Sequence, residues 1–305
     1  MSSATMLIRS TLALFVAASF FTASGATPAS AQDLLIRGGT VITITNGDLA
    51  NTDVLIRDGK IAEIGENLSA PDGVRVIDAQ GQFVMPGIID SHSHMGVDRG
   101  INEGSRSVVP EVSIADVIKH DDPAFFTALA GGITSIHTMH GSANSIGGQN
   151  ESIKLKWGRP WEDLVIEGAP MTLKLALGEN VRRSSSDNPT RYPRSRSGVA
   201  EVMRESFQKA RNYMAAWDRY EADKAAWDRA NRRSRGVAPL PPKRDLHLEA
   251  LVDVFEGRSI LRVHGYRADE MMMMMEVAEE FGIPPGVFEH ALDAYKIAPE
   301  VARYG

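Results

Sequence analysis

Hydrophobic and polar positions follow three rhythms along this chain. From Thr11 to Phe21 the sequence TLALFVAASFF is almost wholly apolar, with Arg9 before it and the triplet Ala29-Ser30-Ala31 behind it. A positive start, a short apolar core and a small-x-small cleavage motif predict a secretory signal peptide over residues 1–31, cut after Ala31. The apolar run is well short of the ~20 residues a spanning helix needs, so no stable membrane insertion is expected after cleavage. The mature protein is accordingly expected to be secreted or periplasmic.

From Asp33 onward the apolar residues come in short β-rich runs. DLLIRGGTVITIT (33–45) reads as two of them, broken at Gly38-Gly39. Val54–Arg57 and Ile61–Ile64 flank Asp58-Gly59, which marks a hairpin because the tight turn needs positive φ. Val74–Ile77 follows the turn Pro71-Asp72-Gly73. Residues 32–82 are predicted to form a small antiparallel sheet, too small to be comfortable alone.

The third rhythm starts at Phe83. FVMPGIID (83–90) is almost continuously apolar, as in a strand buried on both faces. Asp122 is placed to cap a helix with Pro123 at its first position and Gly131-Gly132 at its end. Ile133–Met139, Met171–Leu177, Ile260–His264 and Gly286–His290 read as strands, with Ile153–Trp157 as a candidate extra one. Leu246–Glu256 and Asp269–Phe281 read as helices, the run Met271–Met275 lying in helix core. Strands alternating with helices predict a parallel sheet with crossovers, an α/β architecture. Two stretches look inserted. SSSDNPTRYPRSRS (184–197) is a basic, turn-rich loop. Residues 199–236 are a polar helical segment carrying Tyr213, Trp217, Tyr220, Trp227 and the sequence AAWDR twice, read as an exposed hairpin whose aromatics pack on the main fold. A lid or docking surface is its other reading.

Composition narrows the chemistry. With 305 residues, 43% hydrophobic and 24% charged, the chain is an ordinary globular mixture. It has no cysteine, which excludes disulfides, thiolate metal sites and a cysteine nucleophile. Any metal must be held by His, Asp, Glu or a modified Lys. The 33 basic and 39 acidic residues give no overall attraction for nucleic acid.

The strongest chemical signal is Asp90-Ser91-His92-Ser93-His94. Alternate side chains of a strand share a face, so Asp90, His92 and His94 point one way. Two imidazoles so placed can grip one ion, at the strand end where α/β barrels carry their chemistry. His264 and His290 also terminate apolar β-runs. Each alone reads as an ordinary structural histidine. Four at strand ends of a βα-repeating chain point to a divalent metal, zinc first, with iron, nickel or copper compatible with imidazole. His137 and His140 are spaced to face opposite ways; His140 is nearer the strand end and His137 is the structural one. His120 and His247 read as surface or packing residues. Gly147-Gly148-Gln149 lacks the Lys-Ser/Thr of a phosphate loop and reads as a substrate-side loop. No G-x-S-x-G elbow exists for a serine hydrolase.

The ordered set resembles the amidohydrolase superfamily of metal-dependent hydrolases: LIRGGTVIT and DVLIRDGKIAEIG, then DSHSH after PGIID. HGSANSIGGQ (140–149), ALGEN (176–180), RVHGYRAD (262–269) and FEHALDAYKIA (288–298) look like motifs of secreted members related to imidazolonepropionase and metal-dependent dipeptidases. The resemblance covers residues 33–305. It implies a distorted (β/α)8 barrel plus a small β-sandwich built from both chain ends. Here that becomes an incomplete TIM-like barrel over 83–305, preceded by the N-terminal part of the sandwich over 32–82. It further implies that His92 and His94 ligate one metal, and that His264 and His290 ligate a second or complete the site. A bridging acid is expected at Glu179, or at a carboxylated Lys174, so one or two zinc ions are in view. His140, Gln149 and Arg267 are the implied substrate contacts. The implied reaction is hydrolysis of an amide or cyclic-amide C–N bond by metal-activated water, on a small amide or dipeptide-like substrate.

The family's catalytic Asp, on the last barrel strand, has no counterpart here. Five or six barrel strands are counted rather than eight, and a complete barrel takes ~250 residues. The chain is therefore expected to be an N-terminal fragment of a longer protein and inactive alone. The competing reading is a non-catalytic exported binding module or pseudoenzyme.

Overall fold

The computed structural model describes residues 33–98, 100–184, 190–230, 236–284 and 286–304. The signal peptide expected over 1–31, residues 185–189 of the basic loop and residues 231–235 of the helical segment lie outside the described residues. The chain divides into two compact units between Pro86 and Gly87.

The first unit holds β1 (Leu34–Ile42), β2 (Asp48–Arg57), β3 (Lys60–Gly65), β4 (Arg75–Asp78) and β5 (Phe83–Val84). The strand order is β3-β2-β1-β4, with β5 also on β1. Asp58 and Gly59 turn the β2–β3 hairpin with φ of 51° and 73°. The expected antiparallel sheet is in fact mixed, because β4 and β5 both run parallel to β1. Gly38-Gly39 does not break β1. Gly38 takes φ +70° and the pairing with β2 shifts register around Gly39, so the glycines absorb a bulge within one strand.

Residues 83–90 are likewise not one strand. Met85-Pro86-Gly87 separates β5, which pairs with β1, from β6 (Ile88–Ser93), which opens the second unit. Nor is β6 buried on both faces: it is an edge strand with Ile88 and Ile89 exposed.

The second unit is a six-stranded curled sheet of β6, β7 (Ile133–Thr138), β8 (Ile146–Lys154), β9 (Met171–Ala176), β10 (Ser259–Gly265) and β11 (Val287–His290), in sequence order. All neighbours are parallel except β8, which is antiparallel to both sides. Helices α1 (Pro123–Ala130), α2 (Gly178–Ser184), α3 (Arg196–Arg229), α4 (Leu246–Phe255), α5 (Ala268–Phe281) and α6 (Ala298–Tyr304) complete it. Asp122 caps α1 as expected, its carboxylate accepting the Ala124 N–H at 2.9 Å. Strand alternation sorts the two faces. Leu173, Leu175, Leu261 and Val263 pack outward on Val199, Met203, Phe207, Leu251, Met274 and Val277 of α3, α4 and α5. Thr172, Lys174, Arg262 and His264 take the other face. The sheet bends until Arg262 on β10 donates to the Ser91 carbonyl on β6 at 2.8 Å. This is an incomplete TIM-like barrel.

Two expectations within this unit are corrected. Within the segment read as a helical hairpin, residues 199–229 form one continuous helix. A single helix, α3, runs through both AAWDR copies because no glycine or proline falls between Val199 and Arg229. Its first half, with Val199, Met203, Phe207 and Ala210, is barrel core. Only its second half projects, where Tyr213, Trp217 and Tyr220 stack edge-on along the helix itself, at 6.2 and 5.7 Å. The second correction concerns β8, which takes in the glycines read as a loop and ends at Lys154. A Cβ at Gly147 would lie 2.7 Å from His140 Nδ1, and one at Gly148 2.5 Å from the Val112 carbonyl oxygen. Backbone cannot yield as a side-chain tip can, so Gly148→Ala is expected to cost about 2 kcal/mol in urea unfolding. Gly104→Ala, with nothing within 4 Å, should be nearly neutral.

Candidate metal centre

The C-terminal ends of β6, β10 and β11 bring four histidines together. The ring of His92 stands 5.2 Å from that of His94 and 4.7 Å from that of His290, and His264 stands 4.7 Å from His290. His92 Nδ1 meets Glu289 Oε2 at 2.7 Å, and His94 Nδ1 meets the Met139 carbonyl at 2.8 Å. His264 is 2% exposed, and neither of its ring nitrogens has a hydrogen-bond partner. Lys174 lies in register with Arg262 on the neighbouring strand. It is fully buried, and its Nζ also has no partner.

Burial sets the charge state of this cluster. It pushes His264 down to about 3, with His290 and Lys174 adding positive potential. It lowers His94 and His290 too. Lys174 is pushed down to about 8 by burial, against the pull of Glu289. Burial alone would raise the Glu289 carboxyl, but the His92 hydrogen bond and the Arg262 guanidinium together hold it below the usual range. Burial thus favours the neutral form of His94, His264 and His290, the form that ligates metals.

A polar layer lies on the same side of β7–β9. His137 Nδ1 bonds Ser152 Oγ at 2.9 Å and its Nε2 bonds Thr172 Oγ1 at 2.9 Å; Asn150 donates to Thr172 at 2.7 Å. Burial pushes His137 down to about 4. Its folded pKa thus lies below the ~6.5 of an unfolded histidine, and the unfolded chain binds more protons as pH falls below that value. Metal-free protein is expected to lose about 2 kcal/mol between pH 7 and pH 5 through His137 alone, read as denaturation midpoint against pH. His137→Asn should flatten that slope; an unchanged slope would reject the assignment.

No protein-family model matches the chain. Among solved structures, an amidohydrolase from Thermotoga maritima MSB8 is 33% identical with a TM-score of 0.76, covering 88% of this chain and 67% of that one. The chain belongs to the amidohydrolase superfamily. "Amidohydrolase tasK" of Hapsidospora irregularis is 29% identical over 269 residues, 82% of this chain and 27% of that protein. A dihydroorotase of Citrifermentans bemidjiense is 41% identical over 113 residues, 35% of this chain and 22% of the enzyme. The chain thus spans about a quarter of the length of these curated relatives.

Within this amidohydrolase fold, the residues expected at the site divide into two groups. His92, His94, His264, His290 and Lys174 come together. Glu179 does not. The backbone turns at Gly178 (φ 62°), which carries Glu179 into the first turn of α2, where it is exposed and pairs with Arg183 at 2.7 Å. His140 is 1% exposed, and backbone engages both its nitrogens: Gly141 O at 2.9 Å and the Glu103 N–H at 3.1 Å. It braces a loop and has no free nitrogen for substrate. Gln149 is similarly committed, donating to the Pro110 carbonyl at 3.1 Å. Arg267 is exposed and paired with Asp269 at 2.9 Å.

Glu289 and Arg262, which the sequence reading passed over, are the acid and base that the fold buries beside the histidines. A charged residue on an otherwise apolar strand two places before His264 was the available signal for Arg262. Among the described residues no three His, Asp or Glu side chains converge on one point as the rings now stand. The unpartnered nitrogens of His264 and Lys174 nevertheless fit a metal centre, since buried polar groups ordinarily have partners.

Proposed function

We propose that this chain is the metal-binding part of an exported amidohydrolase that cleaves an amide or cyclic-amide C–N bond of a small molecule, with zinc as the ion. The observation that carries the reading is His264, buried with both ring nitrogens unpartnered beside His290 and within reach of the His92–His94 strand. His92, His94, His264 and His290 would hold the ion, and Lys174, carboxylated, would bridge a second. A divalent ion there supplies Lewis acidity, acidifying a water and polarising the scissile carbonyl. The protein's own part is to favour the neutral form of His94, His264 and His290, to hold the β6 pair by their Nδ1 atoms, and to present Lys174 as an amine that is easily neutral. Neutral amine is what carbon dioxide adds to.

The cyclic-amide substrate rests on the family resemblance and on the dihydroorotase among the relatives. Export rests on the signal-peptide pattern of residues 1–31. Glu289 is engaged by both Arg262 and His92 and is not free to carry a proton, so residues 32–305 alone are expected to bind metal without turnover.

The test is zinc uptake by metal-free residues 32–305, measured by elemental analysis after gel filtration. One or two equivalents are expected. A folded protein that takes up none would remove the metallohydrolase reading. Residues 1–31 fused to a reporter should direct its export, and cytoplasmic retention would reject that part.

A further inference from the structure

We propose that Arg262 and Glu289 form a positioning pair that fixes the His92 ring with its proton on Nδ1, leaving Nε2 as the ligating atom. The metal clause rests on the function proposed above; the ring assignment does not.

The argument starts from hydrogen-bond inventory. Glu289 is 6% exposed; its Oε2 is hydrogen-bonded, whereas its Oε1 makes an ion-pair contact without hydrogen-bond geometry. Oε2 lies 2.7 Å from His92 Nδ1, and Oε1 lies 2.5 Å from Arg262 Nε. A carboxylate paired with a guanidinium only accepts, so the proton in the His92 contact belongs to the imidazole. Nδ1 is therefore the protonated nitrogen, and the lone pair of the neutral ring sits on Nε2.

Arg262 then does two jobs at once. Its positive charge pairs with the carboxylate that orients the ring, and its Nη2 donates at 2.8 Å to the carbonyl of Ser91, the residue before His92. One guanidinium thus fixes both the ring's partner and the backbone that carries the ring. This matters because β6 is an edge strand, paired on one side only by β7. His94 reaches the same tautomer by another route, since the Met139 carbonyl at 2.8 Å can only accept. Both rings of the His-x-His strand are presented by Nε2. His264, with no partner on either nitrogen, has no such anchor.

The experiment is long-range proton–nitrogen NMR on histidine-labelled, metal-free residues 32–305, with His92→Gln to assign the resonance. The expected spectrum shows His92 protonated on Nδ1. A His92 protonated on Nε2 would overturn the proposal, and this arm needs no folded variant. Competitive zinc titration supplies the second readout. Glu289→Ala is expected to lose roughly 10- to 100-fold in affinity and to give His92 a mixture of tautomers. Glu289→Gln, whose amide oxygen still accepts from Nδ1, should rescue the tautomer and most of the affinity. A folded Glu289→Ala with unchanged tautomer and affinity would show a merely structural ion pair and overturn it. Nδ1 protonation in a wild type that takes up no zinc would instead overturn the metal reading and leave the ring assignment standing.

Discussion

Replacing His92 and His94 together by alanine is expected to lower zinc affinity by roughly 10⁴-fold while leaving the fold intact. A protein zinc site of four ligands binds with about 10–16 kcal/mol, or about 3 kcal/mol per ligand, and two ligands then account for about 6 kcal/mol. The structural cost is small. His92 and His94 sit at the end of the edge strand β6, and the hydrogen bond lost between His94 and the Met139 carbonyl is worth about 1 kcal/mol. Glu289 loses His92 but keeps Arg262. Titration against a chelating dye reads the affinity, and far-ultraviolet circular dichroism checks the fold. A loss of less than tenfold in a folded variant would mean that the β6 pair is not the anchor of the centre.

The legible parts of this protein are those written locally. Asp122-Pro123 and Gly131 fix both ends of α1 within one segment, and the expected helix is the observed one. That His92, His94, His264 and His290 lie together is legible because each closes a strand whose apolar residues announce it. The stripe Val199, Met203, Phe207 and Ala210, at helical spacing, marks the first half of α3 as core, whereas its second half is polar.

What stayed hidden depends on distant partners or on a single dihedral angle. Gly147 and Gly148 look like a loop until His140 and Val112 are seen pressing on them. Glu179 looked like a site acid because the strand before it was correctly placed, but the turn at Gly178 redirects the chain. The case of Glu289 is sharper. Strand alternation puts Glu289 and His290 on opposite faces, so only one of them should reach the other histidines. His290 takes φ 63°, ending the alternation, and both neighbours contact His92. No periodicity in the sequence signals that.

Lys174→Met is expected to stabilise the metal-free protein by about 3 kcal/mol at pH 7 and to reduce its zinc capacity. The side chain is fully buried and its Nζ has no hydrogen-bond partner. A lysine brought from about 10.5 in the unfolded chain to about 8 in the fold pays that difference, at about 1.4 kcal/mol per unit, whenever it is protonated. Methionine fills similar volume without a charge to bury. The sign with pH follows. Between about 8 and about 10.5 the unfolded chain binds the extra proton, so wild-type stability rises with pH across that window. The advantage of the methionine variant should be full below pH 8 and gone above pH 10.5, measured by urea unfolding in buffers free of metal and carbon dioxide. A variant less stable than the wild type at pH 7 would mean that the ammonium is well solvated or paired, and would remove Lys174 from the site. Zinc stoichiometry falling as stability rises would show what the buried amine is for. An unpartnered lysine in a sheet interior costs the fold energy at neutral pH, and a role at the proposed metal centre would offset that cost.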